Sequence, residues 1–186
     1  MRRNFHLLLL AFLSVAHGQV RGGSDFQILK ITKNLITAPQ FPYTGAQQYR
    51  SNQRELWLEV ETTFASTPLF TDELTFKYFI LLSGKVLSGE VTHVNIPAGR
   101  DNRSVMYVPP RGLARLMNNQ VVTVAAVQNV AVQILQDGTV KAQSSLPSAS
   151  ANWFVALPRI SGFLLNKNET PFAALYWDRY EQIKSR

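Results

Sequence analysis

The chain of 186 residues contains no cysteine and three histidines, and carries 19 Lys and Arg against 12 Asp and Glu. Without Cys there is no thiol nucleophile, thiolate zinc site or Cys-ligated iron–sulfur cluster; His6 and His17 sit in the first 18 residues, leaving His93 alone in the body of the chain. The net charge of +7 is scattered with no polybasic run, which speaks against nucleic-acid binding and supports at most weak attraction to anionic glycans or a membrane face.

Arg2 and Arg3 precede an apolar run at residues 7–15, and Ala16-His17-Gly18 places small residues where a signal peptidase reads. Residues 1–18 are therefore expected to be a cleaved signal peptide. The run is far short of the roughly 20 residues a membrane-spanning helix needs, so no stable membrane span is expected. Without Arg2 and Arg3, 17 basic residues face 12 acidic ones, a net +5. An exported chain that uses no disulfides points to a bacterial source, with the periplasm or cell surface as its place.

Residues 19–26 read as a polar lead-in, and 27–32 as a first strand, opening one domain that runs from 27 to 186. Residues 37–54 form a long connection with two prolines, a functional loop or the host of a short element. From 55 to 64 the pattern alternates: Leu56, Leu58, Val60, Thr62 and Phe64 share one face, and Trp57, Glu59, Glu61 and Thr63 the other. Pro68 breaks that run. A central strand follows at 74–82, becoming apolar on both faces, then a turn at 83–85 and a strand at 86–96 in which Gly89 marks a bulge or a crowded spot.

Residues 97–102 are a turn cluster, 103–108 a short strand, and Pro109-Pro110 a stop. Gly112 to Asn119 has room for a single helical turn. The Val-rich run at 121–135 favours extended chain, although its alanines leave a helix open. Asp137-Gly138 signals a hairpin returning through 139–145. After a Ser/Ala/Pro-rich connector at 144–151, residues 153–165 suggest one more strand. Thr170 as N-cap and Pro171 at the first helical position predict a short C-terminal helix over 172–184. The sum is all-β: an immunoglobulin-like antiparallel β-sandwich of about seven strands with a short C-terminal helix.

Signals for catalysis are weak. A lone His93 in a strand is most simply a structural hydrogen-bonding residue, and no metal or other cofactor is expected. Glu55, Glu59, Glu61, Glu90, Asp101, Asp178 and Glu181 are the acids available for a carboxylate pair, but Glu59 and Glu61 on an outward face read as solvated charges. There is no nucleophile elbow, phosphate loop or dinucleotide fingerprint. The acceptor patterns at Asn102 and Asn168 arise easily by chance, and the second reads better as the start of the terminal helix. Trp57 is the best candidate for an exposed aromatic platform, with packing under the loop or the C-terminal segment as the plainer alternative; Tyr43 and Tyr49 come next. Trp57, Phe172, Tyr176, Trp177 and Tyr180 together make the candidate interaction surface.

Three stretches carry a family likeness: residues 70–78 (FTDELTFKY), 89–97 (GEVTHVNIP) with Gly99-Arg100-Asp101, and Thr170-Pro171-Phe172-Ala173 with 176–180 (YWDRY). In these the chain resembles small exported proteins of gut verrucomicrobia encoded beside type IV pilus assembly genes. The resemblance implies an immunoglobulin-like sandwich akin to archaeal pilus-type domains, envelope placement and self-association, and it brings no catalytic residue. The chain departs from ordinary pilins in lacking their apolar helix after the cleavage site. Its expected partners are other envelope or pilus proteins, or further copies of itself. A secreted carbohydrate-binding module that takes a glycan is the alternative.

Overall fold

The structure, a computed structural model, describes residues 24–41, 55–147, 152–176 and 178–185. The expected leader at 1–18, Tyr43, Tyr49 and Trp177 lie outside the described residues. The fold is all-β and sandwich-like, built on one seven-stranded sheet: β1 (Phe26–Thr37), β2 (Leu56–Leu82), β3 (Lys85–Val108), β4 (Val127–Gln136), β5 (Thr139–Leu146), β6 (Arg159–Ile160) and β7 (Leu165–Asn166). All pairings are antiparallel except the two-residue contact of β6 with β3.

Two strands carry most of the architecture. The segments 55–64 and 74–82 are the two arms of the 27-residue β2, and 86–96 and 103–108 are the arms of the 24-residue β3. Pro68 bends β2 instead of ending it. The β2–β3 register shifts between Phe64 and Phe70, where Leu69 and Phe70 stand exposed at the tip. A bulged strand twists and bends sharply, so one sheet can turn over on itself. The first arm of β2 pairs with β1 and the end of β3; its second arm pairs with β4 and the start of β3.

The alternation expected for 55–64 holds, since Leu58, Val60, Thr62 and Phe64 are all buried. The apolar members share one core with Phe76, Tyr78, Ile80 and Leu82 of the second arm and with Val130, Val132 and Ile134 of β4. Two layers thus meet through their apolar faces. Both tight hairpins have positive φ at their two turn residues, Ser83-Gly84 and Asp137-Gly138, the backbone that matches the twist of flanking strands. At Gly89 a Cβ would lie 2.6 Å from the Leu164 Cβ, so the expected crowding is real.

Helical structure differs from expectation. The α-helix is α1 (Pro110–Leu116), started by Pro110 at its first turn and ended by Met117; it follows the double proline that stops β3. The run at 121–135 begins irregularly, makes a 3-10 turn at Val124–Ala126 and then becomes β4. Among the described residues the expected short C-terminal helix is not formed. Thr170 ends a 3-10 turn at Lys167–Glu169, whose N-cap is Asn166 in a capping box with Glu169. The described residues that follow run as turns and end in an isolated β-bridge between Ile183 and His93. Leu175 and Tyr180 join Phe172 against the sheet, and this tertiary packing outweighs the local preference for a helix.

Candidate functional site

The sheet has apolar side chains on its outer faces as well, and the end of the chain covers them. On the second layer Phe154 stacks on Phe79 at 3.9 Å, with the Arg159 guanidinium 5.1 Å from the Phe79 ring. On the first layer Phe172 stacks on Tyr107 at 4.8 Å and meets Trp57 edge-on at 5.6 Å. Phe172 is 3% exposed. It is therefore a core anchor and not part of a free interaction surface, which corrects the expectation for that residue. Trp57 is half-buried beside it, so the plainer alternative for Trp57 is the observed one.

Beneath this cover lies Glu61, whose side chain is only 8% exposed. Arg103 Nη1 donates to it at 2.9 Å, Arg179 donates through Nε and Nη2 at 3.1 and 2.8 Å, and the Tyr180 hydroxyl donates at 2.9 Å. The solvated-charge reading is wrong for Glu61. Its place on the outer face followed from the alternation, but the cover that encloses it comes from 118 residues further along the chain. Glu59 accepts from the Tyr107 hydroxyl at 3.2 Å and from Asn34 at 3.3 Å. Burial pushes the Tyr107 and Tyr180 hydroxyls above the ordinary phenol range, with Glu59 adding to both, and the hydrogen bonds to Glu61 hold the Arg179 guanidinium more firmly protonated.

A second polar chain runs through the core. Tyr78 donates to Ser104 Oγ at 2.9 Å, Ser104 meets His93 Nε2 at 2.8 Å, and His93 Nδ1 lies 3.0 Å from the Glu181 carbonyl. A carbonyl only accepts, so Nδ1 carries the proton and Nε2 accepts from the Ser104 hydroxyl. Burial lowers the His93 pKa to about 4. The Ser–His contact has the spacing of a nucleophile and its base, yet Tyr78 and Ser104 are fully enclosed and His93 is 1% exposed. No substrate reaches this pair, and it serves to tie the C-terminal segment to β3. Sequence reasoning found the structural role of His93 but missed Ser104 and Arg103, which sit in a strand with no local mark of a partner.

The other acids do not converge. Glu90 faces Lys77 at 3.8 Å, Asp101 pairs with Arg103 at 2.7 Å, and Glu55 and Asp178 are exposed. Among the described residues, no cluster of three or more His, Asp and Glu could hold a metal ion, and no helix is long and apolar enough to cross a membrane. The Asn102 side chain is buried and donates to the Pro97 carbonyl at 3.0 Å.

A groove of about 900 Å³ opens beside the cover. The end of β1 and residues 38–40 form one wall, Leu175, Tyr176, Arg179 and Tyr180 the other, and Glu59 lies at its base. Tyr176 is 54% exposed on the rim, the one described candidate that still faces outward; Tyr180 is half-buried.

Over residues 18–186 the chain matches a family profile, so it belongs to the protein family which that profile defines. The crystal structure of a protein from Akkermansia muciniphila is similar, with a TM-score of 0.73 at 22% identity, covering 87% of this chain and 93% of that one. At that identity the likeness speaks for the fold. No curated protein matches the chain.

Proposed function

We propose that the protein is a non-catalytic cell-envelope or surface protein, exported by its leader, which binds other protein chains in a structural or adhesive role beside a type IV pilus-like assembly. The family likeness at 70–78, 89–101 and 170–180 and the shared fold with an Akkermansia muciniphila protein support the setting. The observation that carries the binding role is the groove between β1 and the C-terminal segment. Around it Glu61 is paired with Arg103 and the Tyr107 hydroxyl with Glu59, whereas Tyr176 and one face of Arg179 still meet solvent. Exposed aromatic and Arg side chains at the mouth of a groove are the usual anchors of protein–protein contacts.

The test is co-purification of the protein with pilus or other envelope components from its own envelope extract. Ala38→Arg, which fills the groove from its β1 side, should reduce that capture about tenfold or more. Undiminished capture would move the binding role elsewhere on the surface. Turnover of ester or glycoside substrates that is lost in Glu59→Gln would overturn the reading altogether. The exposed Tyr176 favours a glycan as the second reading, in which case Ala38→Arg abolishes binding to mucin-type glycans and leaves protein capture unchanged.

A further inference from the structure

The outer edge of β3 is covered by short pieces from the end of the chain. β6 pairs with Val86 and Leu87, and β7 with Met106 and Tyr107. Between them the terminal strip pairs with residues 92–94 and 103. Glu181 donates its backbone N–H to the Arg103 carbonyl at 3.0 Å, Val94 donates to the Gln182 carbonyl at 2.9 Å, and Lys184 donates to the Thr92 carbonyl at 2.8 Å. His93 and Ile183 are directly opposed, and the two hydrogen bonds flanking them mark a non-hydrogen-bonded antiparallel pair with its side chains close together. The strip bridges the layers, for Arg103 lies in one arm of β3 and Thr92 to Val94 in the other.

We propose that residues 179–185 are an exchangeable strand, and that the edge of β3 at 92–94 and 103 accepts the same strip from a second copy of the chain. The inference rests on the reading that this protein works by binding other chains, and it names one such chain and its seat. Charge complementarity selects the occupant. Glu61 and Glu73 of β2 flank the edge, and the strip carries Arg179 to meet the first and Lys184 to meet the second. Backbone pairing along an edge works equally well in cis and in trans. The other long outer strand is less free, since Lys33 of β1 donates to the Val127 carbonyl and Ser24 donates to the Lys141 carbonyl on β5.

The strip is joined to the body through a strained residue. Phe172 is fixed on Tyr107, and four residues later Tyr176 takes φ 54°, a left-handed conformation costly for a side chain with a Cβ. Straightening at Tyr176 releases that strain and carries 179–185 away while Phe172 stays in place over Tyr107 and Trp57. Exchange of an identical element is an inexpensive route to association, because every pairing given up within one copy is made again by the strip of the other.

The absence of native Cys makes the test clean. Val94 and Gln182 are opposite each other in the strip's register, at a spacing a disulfide can span. The double variant Val94→Cys/Gln182→Cys should close within one chain on rapid oxidation of dilute protein, which confirms the seat. A mixture of the two single variants at high concentration should give a disulfide-linked heterodimer well above that from Val94→Cys mixed with Lys85→Cys, a Cys on the remote β2–β3 turn. Tyr176→Gly, which removes the strain from the closed form, should lower the heterodimer fraction about fivefold, equivalent to ~1 kcal/mol. A double variant that closes while the mixed singles stay at the control level overturns the exchange, and a double variant that does not close overturns the seat. Neither result touches the groove, whose capture of envelope components is scored separately with Ala38→Arg.

Discussion

His93 sits where a histidine must stay neutral, with Ser104 on one nitrogen, the Glu181 carbonyl on the other and the Phe76 ring 5.4 Å away. Its pKa falls from 6.5 to about 4 because burial penalises the imidazolium more than the backbone contacts favour it. A histidine depressed in the folded state binds fewer protons there than in the unfolded chain, so its contribution is full above pH 6.5 and drains away as pH falls towards 4. Denaturant titration should show about 2–3 kcal/mol less stability at about pH 4.5 than at about pH 7.5 from this residue. Glu181, whose carboxyl is raised by burial, acts in the opposite sense; the difference between the wild type and His93→Gln isolates the histidine. A wild-type profile that parallels that of His93→Gln would disprove this account. The role of His93 was legible in the sequence from its solitude alone. The partners were not, because Ser104 and Glu181 come to it from another part of the same strand and from the end of the chain.

Among elements, β2 and β3 show how far periodicity carries and where it stops. Alternation located the first arm of β2, while the other three arms were read as extended runs bounded by turn residues; the inward side of β2 keeps the same parity before and after the bend, from Leu58 and Val60 to Phe76 and Tyr78. What it could not show is that Pro68 and residues 97–102 bend continuous strands instead of separating four. A proline or a turn cluster gives the same local signal in both cases, and only pairing across the sheet decides. Gly89 lies in the second layer's arm of β3 and was legible as a crowded spot, though not what crowds it. Gly89→Ala would press its methyl against Leu164, whose Cβ is backbone-tethered and cannot swing aside, and should cost about 1–3 kcal/mol in thermal or denaturant unfolding. Leu164→Ala in the same chain should restore little of that loss, because the 2.6 Å approach is to the Cβ that alanine keeps. Full rescue would show that the backbone of 162–165 moves freely, contrary to its pairing through β7.

At the scale of the molecule, a sandwich normally leaves its outer faces to solvent, but here each carries aromatic side chains, Phe79 on one and Tyr107 with Trp57 on the other, that the end of the chain covers through Phe154 and Phe172. That arrangement explains why the aromatic-rich terminus reads so readily as an interaction surface in the sequence: composition reports that Phe172, Tyr176 and Tyr180 want a partner and is silent on whether the partner is the same chain. The structure divides them, with Phe172 seated on Tyr107 and Trp57, Tyr180 hydrogen-bonded to Glu61, and Tyr176 left on the rim. Phe172→Ala should therefore act as a core truncation. It removes a ring packed on two others and leaves Glu61 covered only by residues that have lost their anchor, at a cost of about 3–5 kcal/mol in denaturant unfolding. The same variant should bind a dye for exposed apolar surface and admit protease at 172–180 before the sheet is cut, since the two-layer core around Leu58, Phe76 and Val132 does not depend on Phe172. Tyr176→Ala, by contrast, should leave stability within about 0.5 kcal/mol, because it removes an exposed ring and keeps the Cβ. If Phe172→Ala proves as harmless as Tyr176→Ala, the terminal segment is not the roof of the outer core, and Glu61 must find its charge balance in water.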